Sequence, residues 1–344
     1  MDVEQGIATI PVTGVGSMPG TDSAESARIV AGEFDVPFVA ELPARGPGAD
    51  MVGRTLALVS SATGDFAAET TPDGWRLAGG RSGGDLGRAM RRGASWLAED
   101  LDQLELQLDG FTGRVKLQVT GPWTLAASVE GVRGTRMVAD QGACSELAVA
   151  LGEAVADQVA VVRRRVPGAD VVVQVDEPGL PMVLAGHIRT PSGRGALRVP
   201  EVAEVVAGLS AVTAAAEPGA GLAVAHCCAT DVPFDVLRRA GFGAVSVDAA
   251  LLGQAADAEL GAWWDSGSAV VLGVAPAIDD PRRTPEDLAR RVAGLWGRIG
   301  FGMADVGPRT WLSPTCGLAG ASPEWARSVG GLLRSASLLL ESAS

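Results

Sequence analysis

Short runs of continuous apolar, β-branched residues alternate with longer segments whose apolar positions recur every three to four residues. The runs are IPVTGVGS (10–17), PFVAEL (37–42), VKLQVTGP (115–122), VVVQVDEP (171–178), LAVAHCC (222–228), GAVSVDAA (243–250), AVVLGVAP (269–276) and TWLSPTCG (310–317). Continuous rather than alternating hydrophobicity predicts strands buried on both faces, as a parallel sheet requires. The intervening segments at 136–165, 200–215, 232–240, 284–299 and 322–341 predict helices. Thr284, Pro285 and Glu286 form a helix-start signature. Eight strands, each followed by helical sequence, predict an α/β fold of the (β/α)8 TIM-barrel type. A Rossmann-like open sheet has the same periodicity and stays open at this level. Extra length lies between the second and third strands. There DFAAETTPDGWRLAGG predicts a hairpin turned at Asp73-Gly74, followed by a helix over 84–108. The expected organisation is one catalytic barrel over 1–344 with a hairpin and helix inserted at about 63–110.

Polar or reactive residues fall at the C-terminal ends of the runs: Ser17, Glu41, Thr120, Asp176 and Glu177, His226 and Cys228, Asp248, and Cys316. In a barrel those ends converge on one mouth, where barrel enzymes hold their chemistry. His226 and Cys228 are two apart in a strand and share a face, with Cys227 turned away. Together with Asp248 and Cys316 they offer one imidazole, two thiols and a carboxylate, a donor set suited to tetrahedral zinc. An H-x-C pair taken alone is more often ordinary core than ligand. Cys316, at another strand end, moves the balance toward metal, and Cys144, inside a helical segment, reads as core.

Composition narrows the partners. The chain has 28 Lys plus Arg against 41 Asp plus Glu, a net charge of −13. This excludes phosphate-led nucleic-acid binding and argues against an anionic membrane surface. No signal-like segment and no transmembrane run is read, and four cysteines in 344 residues are too few for a disulfide framework. A cytoplasmic location with free thiols is expected.

The motifs, taken in order, resemble the catalytic C-terminal barrel of the cobalamin-independent methionine synthase family. They are TGVGSMP (13–19), LQVTGPWTL (117–125), VQVDEPGL (173–180), HCC (226–228) and SPTCGL (313–318). The resemblance runs from about residue 10 to 330, as a single-barrel form lacking the family's N-terminal domain. It implies a zinc-dependent transfer of a methyl group to the thiol of homocysteine, giving methionine. It implies zinc ligation by His226, Cys228 and Cys316, with Asp248 where the family has a glutamate. It also implies substrate binding at Gly16 and Ser17 for the carboxylate and at Asp176 for the amino group, with Glu177 beside it. Two departures stand out. In ADMVGR, Gly53 occupies the place of the family's amino-binding glutamate, so amino-acid recognition is expected to be rebuilt through Glu41 or Glu177. Asp279 stands where the family has a histidine that assists proton transfer, and becomes the candidate catalytic residue.

His187, the other histidine, lies in a loop and reads as a surface residue. A methyl-folate needs a protonated leaving nitrogen, whereas a methyl-corrinoid does not. The expected donor is therefore a methyl-corrinoid or a corrinoid protein. Alternatives are a zinc alkyltransferase for another thiol such as coenzyme M, with Arg45 or Arg54 on the sulfonate, or a non-catalytic zinc- or thiol-binding homologue. A uroporphyrinogen-type decarboxylase is disfavoured by the H-x-C and P-x-C-G-L motifs.

Overall fold

A computed structural model describes residues 10–78 and 86–342. The start of the chain read above for a signal (1–9) and the junction of the inserted hairpin and helix (79–85) lie outside the described residues. Six of the apolar runs form one parallel sheet in sequence order. Its strands are β3 (Arg114–Thr120), β4 (Asp170–Asp176), β5 (Ala220–Cys227), β6 (Ala244–Asp248), β7 (Ala269–Ala275) and β8 (Thr310–Pro314). The first two runs close the sheet into a barrel through single parallel bridges. β1 (residues 12–13) bridges Leu312 of β8 through Val12 and bridges β2 (residues 36–38) through Thr13. Phe38 of β2 bridges Lys116 of β3. Leu312 N donates to Pro11 O at 2.9 Å and Lys116 N to Pro37 O at 2.8 Å, so hydrogen bonding passes around the whole circle. The (β/α)8 architecture expected from the pattern is present.

Each strand is followed by helix. The long ones run Gln141–Arg165, Val202–Ala216, Pro285–Ile299 and Pro323–Ser342. Asp22, Asp50, Asp140 and Thr284 each cap a helix by accepting a backbone N–H with the side chain. Such caps satisfy donors that the helix itself leaves free. Between β2 and β3, Ala68–Thr71 pairs antiparallel with Gly74–Leu77. The register Thr71↔Gly74 leaves Pro72-Asp73 as the tight turn, and Gly74 takes φ 125°. Leu86–Gln107 follows as an additional helix.

The barrel interior changes character along its axis. Val36, Val172, Val224, Ala244, Val271 and Trp311 form an apolar plug low in the barrel. Two residues further along, the same faces carry Gln174, His226, Ser246 and Ser313, all buried. Strand alternation thus turns an apolar floor into a polar upper layer beneath the mouth.

Candidate metal centre and substrate cavity

Asp176 of β4 is in register with His226 of β5, and His226 with Ser246 of β6. The ring of His226 is 3 % exposed, and its Nδ1 lies 3.0 Å from Ser246 Oγ. Its Nε2 is buried without a hydrogen-bond partner. A buried ring nitrogen left unpaired is costly unless something accepts its lone pair. A ring nitrogen of His226 and the sulfurs of Cys228 and Cys316 lie within 4.8 Å of one another. The two sulfurs are 3.4 Å apart. The thiol of Cys228 is pushed up by its hydrogen bond to Cys316, and burial adds to this. Cys316 is held well below the usual thiol range by that same bond and by the adjacent imidazole. A pair in which one thiol readily loses its proton, beside an oriented imidazole, fits a soft divalent cation. Cys227 and Cys144 are buried elsewhere, and burial raises both thiols to about 11.

Asp248 ends β6 half-buried, and its Oδ1 accepts from Ala250 N at 2.8 Å. It is close enough to Cys316 and His226 to feel their charge, but does not join the mutual cluster of three.

The cluster lines a cavity of about 200 Å³. Gly16, Ser17, Glu41 and Asp176 line it, Ser17 and Glu41 side by side as bridge partners, and Pro43, Met51 and Pro178 supply apolar surface. Larger hollows of about 620, 580 and 470 Å³ lie elsewhere on the surface, away from the cluster. Asp176 is held by Gln174, whose Nε2 donates to its Oδ1 at 2.7 Å. Gln174 Oε1 in turn accepts from Lys116 Nζ at 2.6 Å. Burial raises the carboxyl of Asp176, opposed by His226 and Lys116. Burial also lowers Lys116 to about 7. The buried chain of Lys116, Gln174 and Asp176 was not foreseen from the sequence. The signal available was a charged residue at an inward position of an apolar strand.

Other expected site residues sit apart from the cavity lining. Glu177 is fully buried and accepts from Trp123 N (2.9 Å), Thr124 N (2.8 Å) and Thr124 Oγ1 (2.7 Å). It therefore pins the start of helix Pro122–Ser128, and burial raises it to about 7 against the pull of those donors. A Cβ at Gly121 would meet its Oε1 at 2.3 Å, which is why the T-G-P turn carries glycine there. Asp279 is exposed on the loop after β7, and its Oδ1 accepts from Ser322 N at 2.8 Å. His187 is exposed. Arg54 donates to Ala40 O and Asp100, and Arg45 to Thr21 O and Asp100. Both guanidinium groups are thus committed and neither lines the cavity, which disfavours sulfonate binding there.

Residues 109–337, more than half of the chain, match the family model described as the catalytic domain of cobalamin-independent synthase. The fold is similar to that of a B12-independent methionine synthase from Shewanella sp. W3-18-1 in complex with selenomethionine. The TM-score is 0.61 at 14% identity, covering 97% of this chain and 98% of that one. Weaker likenesses are to 2,3-dimethylmalate lyase of the PEP mutase/isocitrate lyase superfamily (TM-score 0.34, 12% identity, 88% and 76% covered) and to the carboxyl transferase domain of Rhizobium etli pyruvate carboxylase (0.33, 12%, 96% and 48%). Neither of these two carries an argument. No protein with a curated description matches the sequence. No helix among the described residues is long and apolar enough to cross a membrane.

Proposed function

Since the chain belongs to the cobalamin-independent synthase catalytic-domain family, we propose that it is a zinc-dependent methyltransferase that methylates the thiol of homocysteine to form methionine. The observation that carries this reading is the meeting of the His226 ring with the sulfurs of Cys228 and Cys316, from two distant strand tips, on the wall of an amino-acid-sized cavity. His226, Cys228 and Cys316 would hold the metal, with Asp248 as the nearby candidate for a fourth ligand. When bound, zinc supplies the Lewis acidity that keeps a thiol deprotonated at neutral pH, where a free thiol is only a few per cent thiolate. With Nε2 on the metal, Nδ1 would carry the proton and Ser246 Oγ, 3.0 Å away, would accept it, fixing the ring. Gly16 and Ser17 would receive the substrate carboxylate, and Asp176 the ammonium. Held this way, the sulfur attacks the methyl carbon in line. The new S–C bond forms as the donor–methyl bond breaks, the electron pair leaves with the donor, and the thiol proton passes to solvent. A cavity of about 200 Å³ admits the amino acid but not a bulky donor. The donor would meet it at the mouth; Asp279, exposed and held below the usual carboxylate range by its hydrogen bond from Ser322, is ionised at neutral pH and carries no proton for a departing nitrogen.

We take the whole chain as one cytoplasmic catalytic barrel, with the hairpin and helix over about 63–110 as its elaboration. The family is described as cobalamin-independent, and no comparison supports the corrinoid donor expected from the sequence. The donor is therefore the variable of the assay. Zinc-loaded protein given homocysteine with a methyl-folate, or with methylcobalamin, is expected to form methionine with at least one. Metal content should be near one zinc per chain. Failure to retain zinc, or zinc retention without methionine from either donor, would overturn the reading.

A further inference from the structure

Lys116 is 1 % exposed and takes no part in the cavity lining. Its backbone is in register with Val172 of the apolar plug, and its side chain rises from there into the polar layer. A lysine buried this deeply is costly unless its charge and its N–H groups are met. Asp176 and Glu41 are the acids whose charge it feels. Its Nζ nevertheless donates to two neutral oxygens, Val15 O and Gln174 Oε1, each at 2.6 Å. The ring of Phe38, with its centre 5.3 Å from Nζ, adds cation–π attraction.

A lysine donates hydrogen bonds and cannot accept them. Gln174 must therefore turn its oxygen toward Lys116, which leaves its NH2 group facing the other way. There it donates to Val15 O at 2.9 Å and to Asp176 Oδ1 at 2.7 Å. Were the amide turned over, its oxygen would face two further oxygens and its NH2 would face the ammonium. The lysine thus fixes the sense of the amide, and it keeps its own cation one residue away from Asp176. A cation paired directly with that carboxylate would have to be displaced by a substrate ammonium. Gln174 engages Oδ1 alone, so Oδ2 is left for a ligand.

Val15 is the second link. Between the bridges at Thr13 and Ser17, its carbonyl takes donors from two side chains, Lys116 of β3 and Gln174 of β4. The planar peptide that carries this carbonyl also carries the N–H of Gly16. The two bonds therefore set how Gly16 is presented beside Ser17 on the cavity wall. One lysine stands behind both arms of the substrate site.

We propose that Lys116 is a positioning residue for homocysteine: through Gln174 it holds Asp176 ready for the ammonium, and through Val15 it holds Gly16 and Ser17 ready for the carboxylate, without touching the substrate itself. The inference rests on the homocysteine reading above. The test is calorimetric binding of L-methionine, and separately of zinc, to wild type and to Lys116→Met, which fills similar space but has no donor. Methionine should bind about tenfold or more weakly, because two buried oxygens lose their donor and the amide is free to turn over. Zinc affinity should be unchanged, since the cluster stands on β5 and β8. In turnover the variant should raise the KM for homocysteine by the same factor and leave kcat at saturation unchanged. Unchanged methionine affinity, a matched loss of zinc affinity, or a fall in kcat at unchanged KM would each overturn the inference. Wild type that retains zinc but binds neither methionine nor homocysteine would overturn the functional reading, and this inference with it. If Lys116→Met does not fold, Gln174→Met removes the next link and leaves the lysine on Val15. Methionine should again weaken with zinc affinity kept, and undiminished methionine binding there counts against the inference.

Discussion

The two sides of the cavity are built from different kinds of structure. The metal side comes from β5 and β8, members of a regular parallel ladder inside the segment that matches the family. The carboxylate side owes Gly16, Ser17, Glu41 and Asp50 to residues before that segment, where β1 and β2 join the barrel by single bridges. The ladder fixes His226, and Cys228 and Cys316 follow within two residues of the ends of β5 and β8, so the three side chains meet from two distant strand tips. A bridged edge tolerates insertion, and here the inserted hairpin packs Trp75 against Gly53.

The largest effect should come from breaking the metal side. Cys228→Ser and Cys316→Ser each remove a direct donor. Each should lower zinc affinity by more than the roughly 10–100-fold that loss of an outer partner costs, and methionine formation should fall to background. Zinc titration against a competing chelator reads this directly. Near-normal zinc affinity in both variants would mean that the cluster is not the metal site.

On the carboxylate side the strongest effect is on stability against pH. Glu41 is raised from 4.5 to about 7 in the folded protein. Between those values the folded state binds more protons than the unfolded state, so this group makes stability fall as pH rises through that window. Glu41→Gln removes the dependence. Its stability relative to wild type should grow from about pH 4.5 and level off above about pH 7, by at most about 3 kcal/mol. Urea unfolding at several pH values measures the gap, and a gap that shrinks with rising pH would contradict it.

The same contrast governs what was legible in the sequence. Strands β3 to β8 are written as largely apolar runs, and the inward face of His226 follows from strand alternation alone, with Cys228 just past the strand end. The runs at 10–17 and 37–42 read as strands of equal standing, yet they pair through isolated bridges, because pairing depends on neighbours that no local pattern encodes. Glu177 looked like a site residue because it adjoins Asp176. Alternation turns it to the opposite face, where helix Pro122–Ser128 needs an acceptor for its free N–H groups. Gly53 was visible as a departure, but its cause, Trp75 packed against it from a hairpin 22 positions away, exists only in three dimensions. Ser246 gave no signal, being one more small residue in an apolar strand.

That serine tests how far the metal side depends on its support. Ser246→Ala removes the acceptor that holds the His226 tautomer while leaving all three ligands in place. Zinc should bind roughly 10–100-fold more weakly, with methionine binding to the zinc-loaded protein little changed. An unchanged zinc affinity would show that the strand alone orients the ring.

The smallest expected effect is also the one that most directly joins the two regions. Gly53→Ala adds a single methyl group facing Trp75 and Asp50. Overpacking of this kind typically costs about 1–3 kcal/mol. The clash is with Cζ2, an atom of the indole's six-membered ring that a phenylalanine side chain need not occupy. In a Trp75→Phe background the same Gly53→Ala change should therefore cost less, and the coupling measured by the double-mutant cycle should be relieving and of order 1 kcal/mol. Additive costs would mean that Asp50 and the Gly48 amide, rather than the hairpin, keep position 53 bare. In that case the helix cap alone would account for glycine at position 53, and the inserted hairpin would have no part in it.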